Sequence, residues 1–89
     1  MFKIIFTDSY EARAKKFLKK HPDLKNIYEK TLLLMEQNVY HPSLRLHKFS
    51  DLYSVSINLQ YRISIDFQIK DNIIIPIDIG DHKKIYGKD

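Results

Sequence analysis

Three stretches decide the fold: Tyr53-Ser54-Val55-Ser56-Ile57, Tyr61-Arg62-Ile63-Ser64-Ile65-Asp66-Phe67-Gln68-Ile69 and Ile73-Ile74-Ile75-Pro76-Ile77-Asp78-Ile79. In each the odd-numbered positions are apolar, the period of a strand that buries one face. Asn58-Leu59-Gln60 and Lys70-Asp71-Asn72 separate them and have hairpin length. Opposed residues of an antiparallel pair share a face, so Ile57 is expected opposite Tyr61, and Ile69 opposite Ile73. That register sets Arg62 between Ser56 and Gly80. His82 follows Gly80 by two residues, on the order of 7 Å or less along the strand from the Arg62 row. Arg62, Ser56 and His82 are therefore expected to converge on the polar side of the sheet. A register opposing Ser64 to Gly80 would part them.

Working outward, Phe2 to Phe6 reads as a first strand. Asp8 with Glu11 three residues later forms a capping-box-like helix start, predicting a helix from about Ser9 to Lys20. Pro22 disfavours helical geometry at His21 and suits the first turn of a second helix. The apolar positions of that helix, Leu24, Ile27, Tyr28, Leu34 and Met35, keep helical spacing to about Asn38. Tyr40-His41-Pro42 breaks it, and an irregular stretch runs to Asp51. The order is β-α-α-β-β-β, an α+β class with one sheet packed on a helix hairpin. No repeat or linker interrupts residues 1–89, which read as a single domain.

Composition narrows the function classes. With 44 % hydrophobic residues and mixed charge the chain is not of the disordered type. Its longest apolar runs, Leu32 to Met35 and Ile73 to Ile75, are too short to span a bilayer. Phe2-Lys3-Ile4-Ile5-Phe6 lacks the pattern of a secretory leader. The absence of cysteine excludes disulfides, thiolate metal sites and cysteine nucleophiles. A formal charge of +4 favours an acidic partner, whether nucleic acid or protein.

Few residues carry chemistry. The Arg62 guanidinium suits a bidentate phosphate contact, or is an ordinary solvated strand residue paired with Asp66 or Asp78. His82 carries an imidazole, which can act as general acid or base; the bland alternative is a loop histidine beside Asp81. Tyr86 can stack on a base or plug the C-terminus. Gly80 is expected to release the chain sharply, leaving His82 and Tyr86 at the sheet rim. Together with Arg62 they form the set needed to cleave RNA without a metal: a cation, a proton-transfer group and an aromatic platform. His47, in Leu44-Arg45-Leu46-His47-Lys48-Phe49, reaches that set only if its loop doubles back. His41 and His21 precede prolines in turns and read as structural. Arg13, Lys15, Lys16, Lys19 and Lys20 crowd one helix, as a solvated face or an RNA-backbone contact. Phosphate loops, HExxH and EF-hand spacings are absent from the sequence.

The element order and four segments resemble the RelE/ParE superfamily of type II toxin–antitoxin toxins. The segments are Leu46-His47-Lys48-Phe49, Tyr53-Ser54-Val55-Ser56-Ile57, Tyr61-Arg62-Ile63-Ser64-Ile65, and Ile79-Gly80-Asp81-His82 with Tyr86. The likeness spans essentially the whole chain and is nearest to the RelE/YafQ branch, ribosome-dependent mRNA endonucleases silenced by an antitoxin. It implies a cytoplasmic toxin that needs no cofactor or metal, has mRNA, the ribosome and an acidic antitoxin as partners, and can form a toxin–antitoxin hetero-oligomer. It implies His82 as acid or base, Arg62 as phosphate clamp, Tyr86 as stacking or orienting group and His47 as auxiliary histidine. Arg45, Lys48, Ser56, Lys83 and Lys84 complete the expected RNA-contacting set. Ser56 and Gln60 depart from the histidine and aspartate common in YafQ-like sequences, and Ser50-Asp51 replaces the usual Gly-containing segment. A ParE-like inhibitor of DNA gyrase and a catalytically inactive antitoxin binder stay open as alternatives.

Overall fold

The alternating stretches pair into a mixed five-stranded sheet. The computed structural model describes residues 1–87. Its strands are β1 (Lys3–Ile4), β2 (His47–Phe49), β3 (Leu52–Ser56), β4 (Tyr61–Gln68) and β5 (Ile73–Asp81), in the spatial order β1-β5-β4-β3-β2. β1 runs parallel to β5, and the other pairs are antiparallel. Helices α1 (Asp8–Lys20) and α2 (Lys25–Asn38) pack on one face, and a short α3 (His82–Tyr86) follows β5.

The helix hairpin forms as its sequence demands, with shifted ends. Thr7 caps α1, its hydroxyl accepting from the Tyr10 N–H at 3.1 Å, so the start lies one residue before the expected Asp8. Asp8 and Glu11 then occupy the first turn, beside the positive end of the helix dipole. Pro22–Leu24 form a 3₁₀ turn between the helices instead of opening α2. Tyr10, Ala14, Tyr28 and Met35 meet Val55, Ile63, Ile65 and Phe67 in the core. The Tyr10 and Tyr28 hydroxyls bond at 2.9 Å, which allows both rings to be buried without an orphaned polar atom. Ile27 departs from the expected core face of α2 and is exposed; Thr31 is buried in that helix, its hydroxyl donating to the Ile27 carbonyl.

Three corrections concern the sheet. The stretch read as irregular contains β2, which doubles back on β3 with His47 opposite Ser54, around a turn in which Ser50 has φ 51°. Only Lys3–Ile4 of the expected first strand pairs. The register at the Arg62 row is as expected, Ser56 opposite Arg62 and Arg62 opposite Gly80. Between Ser64 and Ile65 the ladder shifts, from Ser64 opposite Asp78 to Ile65 opposite Pro76, so Ile77 is an extra residue on β5. Gln68, rather than Ile69, therefore opposes Ile73, and Ile74 and Pro76 are buried where Ile73 and Ile75 were expected. Pro76 cannot donate a ladder bond, and a bulge is where a sheet tolerates that loss. The Ile77 carbonyl accepts from Arg13 Nη1 of α1 at 3.0 Å.

Candidate active site

The face of the sheet opposite α1 and α2 is polar. β3, β4 and the end of β5 present Ser54, Arg62, Ser64 and Gly80 to it, all buried. α3 covers them. The chain turns at Asp81 rather than at Gly80, which stays inside β5: the Asp81 carboxylate accepts from the Lys84 N–H at 2.9 Å and caps α3. Gly80 serves a different need. A Cβ there would lie 2.8 Å from Lys84 Cδ, so a side chain would push α3 off the sheet or displace the Lys84 stem.

Tyr86 stands at the centre. Its ring meets Phe49 edge-on at 4.7 Å between centroids, His82 at 5.7 Å and His47 at 6.0 Å. Its hydroxyl lies 2.8 Å from Ser54 Oγ, and Ser54 Oγ accepts from Arg62 Nε at 2.9 Å. His47 thus reaches the site through the return of β2, the condition on which its role depended. His82 and His47 are both exposed.

Arg62 is only 7 % exposed and is neither solvated nor paired with Asp66 or Asp78. Its Nη2 donates to the carbonyls of Arg45 at 2.7 Å and Ser54 at 3.2 Å. Arg45 presents its carbonyl from a left-handed backbone, φ 48°, at the end of the 3₁₀ turn Pro42–Leu44. Burial lowers the Arg62 pKa from its ordinary value; the neighbouring Tyr86 opposes that shift and Arg45 adds to it. Nη1 makes no hydrogen bond to the described residues, and among them no fully buried side-chain nitrogen or oxygen is left unpartnered, so one edge of the fork is not sealed off by the protein.

The remaining expected contacts divide. Arg45, Lys83 and Lys84 are exposed, Arg45 beside Arg62 and the two lysines on α3. Lys48 is not brought to the site: it opposes Tyr53, on the other side of β2 from His47, with Nζ 6.0 Å from the Tyr53 ring centroid. Ser56 opposes Arg62, but its hydroxyl is spent on the Asn58 carbonyl at 2.6 Å, so it does not join the Tyr86 group. Ser54 and Phe49 are the residues that sequence reasoning missed. Ser54 was legible in principle, two residues from Ser56 on the same strand face and diagonal to Arg62. Among the described residues no three His, Asp or Glu side chains gather to hold a metal ion, and no helix is long and apolar enough to cross a membrane.

No protein-family model and no curated protein matches the sequence. Solved structures do. YafQ from E. coli BL21(DE3) superposes with a TM-score of 0.76 at 13 % identity, over 98 % of this chain and 100 % of that one. The chain has the RelE/ParE-like fold. A metal-bound toxin from Helicobacter pylori matches at TM-score 0.69 and 17 % identity, over 97 % of this chain and 100 % of its own. A chain of the E. coli DinJ–YafQ toxin–antitoxin complex matches at 0.73 and 15 %, over 97 % and 98 %. The RelE/ParE-like fold matches the β-α-α-β-β-β order and the sheet packed against the helix hairpin.

Proposed function

We propose that this chain is the toxin of a type II toxin–antitoxin pair and cuts mRNA on the ribosome. The observation that carries the reading is the Tyr86 hub: two accessible histidines, an aromatic platform and an arginine held through Ser54 meet on one sheet face. The shared fold with YafQ, including its complex with DinJ, supports both the toxin reading and an antitoxin partner.

The reaction is attack of a ribose 2′-OH on the adjacent phosphate, with expulsion of the 5′-oxygen. One proton leaves the 2′-OH and one is delivered to the leaving oxygen. His82 and His47 flank Tyr86 and share these transfers, His82 as the principal acid or base. The accessible Nη1 edge of Arg62 bonds a phosphate oxygen while Ser54 and the Arg45 carbonyl hold the rest of the fork. Orientation and fixed charge supply most of the acceleration. With Ser56 bonded to Asn58, proton transfer falls to His82 and His47.

The test is incubation of the purified chain with ribosomes translating a defined mRNA, followed by primer extension. Cuts that need ribosomes and vanish in His82→Ala are the expected result. Intact transcript on active ribosomes would remove the nuclease reading. One observation favours a second reading, a toxin that blocks its target without cutting: most of the Arg62 fork is already bonded within the protein. A ParE-like gyrase inhibitor would leave transcripts intact and produce DNA breaks with gyrase.

A further inference from the structure

A second basic cavity opens at the end of the sheet that carries α3. About 470 Å³ in volume, it opens between α1 and the ends of β4 and β5, lined by Arg13, Lys16, Lys20, His21, Tyr61 and Lys84, among others. Tyr61 and Arg62 are successive strand residues and point to opposite faces, so Tyr61 and the α1 residues enter the cavity from the helix side, while Lys84, packed against Gly80, reaches it from α3 around the rim at Asp81.

Two of its cations are held in place. Arg13 is pinned by Nη1 to the carbonyl of the bulged Ile77, leaving its other nitrogens without partners among the described residues. The Lys84 stem lies against Gly80, in the space a Cβ would fill. Lys16 and Lys20, one turn apart on α1, add two more. Beside these cations is an aromatic ledge. His21 lies 4.6 Å from Phe17 and 4.9 Å from Tyr61 between ring centroids, and all three rings are partly exposed. The one carboxylate in the lining, Asp81, is engaged by the Lys84 N–H.

Cations that suit phosphate beside rings that suit a base describe a nucleotide. We infer that this cavity binds a nucleoside phosphate, its phosphate on Arg13, Lys16, Lys20 and Lys84 and its base on the His21–Tyr61 ledge. The ligand is either a free nucleotide or one unit of an RNA strand passing around the rim at Asp81. The inference rests on the RNA reading only for the second of these sources.

Two probes separate the sources in an NMR titration of the intact chain: adenosine 5′-monophosphate, and a short 2′-O-methylated single-stranded RNA that cannot be cleaved by 2′-OH attack. Shifts at His21, Tyr61 and Lys84 with either probe support the site. A response to the mononucleotide identifies a pocket for free nucleotide; a response to the RNA alone identifies a strand subsite. Lys16→Glu/Lys20→Glu should weaken binding by about tenfold or more. Lys15→Glu/Lys19→Glu makes the same charge change on exposed α1 positions outside the lining and should cost clearly less. No shift with either probe, or equal losses in both double variants, overturns the inference. Cleavage on ribosomes is read separately with His82→Ala, so absence of cutting with an intact titration counts against the nuclease and not against the cavity.

Discussion

Ser54 holds two partners at once: the Tyr86 hydroxyl and Arg62 Nε. Removing it leaves a buried guanidinium N–H without an acceptor, so Ser54→Ala is expected to lower stability by about 1–3 kcal/mol. Urea unfolding measures this, and an unchanged midpoint would mean that water replaces the hydroxyl. The same variant should reduce cleavage, because the accessible edge of Arg62 loses its alignment. Histidine exchange separates the chemistry from that positioning. His82→Ala is expected to slow cleavage by about 10²–10⁴-fold, the usual worth of a positioned acid or base. His47→Ala should cost less and shift the pH–rate profile, while Tyr86→Phe, which keeps the ring, should be milder than Tyr86→Ala. Equal losses from the two Tyr86 variants would assign its role to the hydroxyl alone.

Parity explains where the elements were legible and where they were not. From Tyr53 to Phe67 polar and apolar residues alternate, so the face and the Arg62 register can be read directly. Ile73-Ile74-Ile75 is apolar at both parities and gives no such signal. The bulge at Ile77 decides it, and its marks in the sequence are Pro76 and, far away on α1, Arg13. The inversion has a measurable consequence. Ile74 is fully buried and Ile75 only partly, so Ile74→Ala should cost about 2–5 kcal/mol and Ile75→Ala distinctly less. The opposite ranking in thermal or urea unfolding would restore the unbulged register. β2 escaped notice for another reason: three residues are too few for a period, and its turn depends on Ser50 at positive φ.

The joint between α1 and α2 makes the elements sensitive to alkali. Burial, then the neighbouring Tyr28, raise the Tyr10 pKa far above its ordinary 10.0, and burial raises that of Tyr28 as well. A raised folded-state pKa means that the stabilisation is complete below the unfolded value and is lost as pH rises towards the folded one. Stability should therefore fall steeply above about pH 10, where the unfolded chain ionises both phenols and the native pair resists. In Tyr10→Phe the alkaline slope should be shallower, since one of the two groups no longer titrates. Denaturant midpoints measured on either side of that pH decide the matter. An unaltered slope would locate the alkaline sensitivity elsewhere.

At the scale of the molecule, the formal charge of +4 matters through its distribution. Arg45 and Lys83 are exposed near the Tyr86 hub, Lys16, Lys20 and Lys84 line the cavity beside α1, and Lys48 lies over Tyr53 on the far side of β2 from His47. An RNA strand engaged at the hub would release counterions only where cations meet phosphates, and for single strands each such contact contributes about 0.7 to the slope of log affinity against log salt. Lys83→Gln should reduce that slope by about one contact, whereas Lys48→Gln should leave it unchanged. Binding to a 2′-O-methylated single-stranded RNA across a salt series reads both, with no need for cleavage or ribosomes. The lysines carry the same charge and differ in the face they occupy. A matching loss in Lys48→Gln would therefore mean that the strand crosses β2 on the helix side, and the hub would no longer be the place where the scissile phosphate sits.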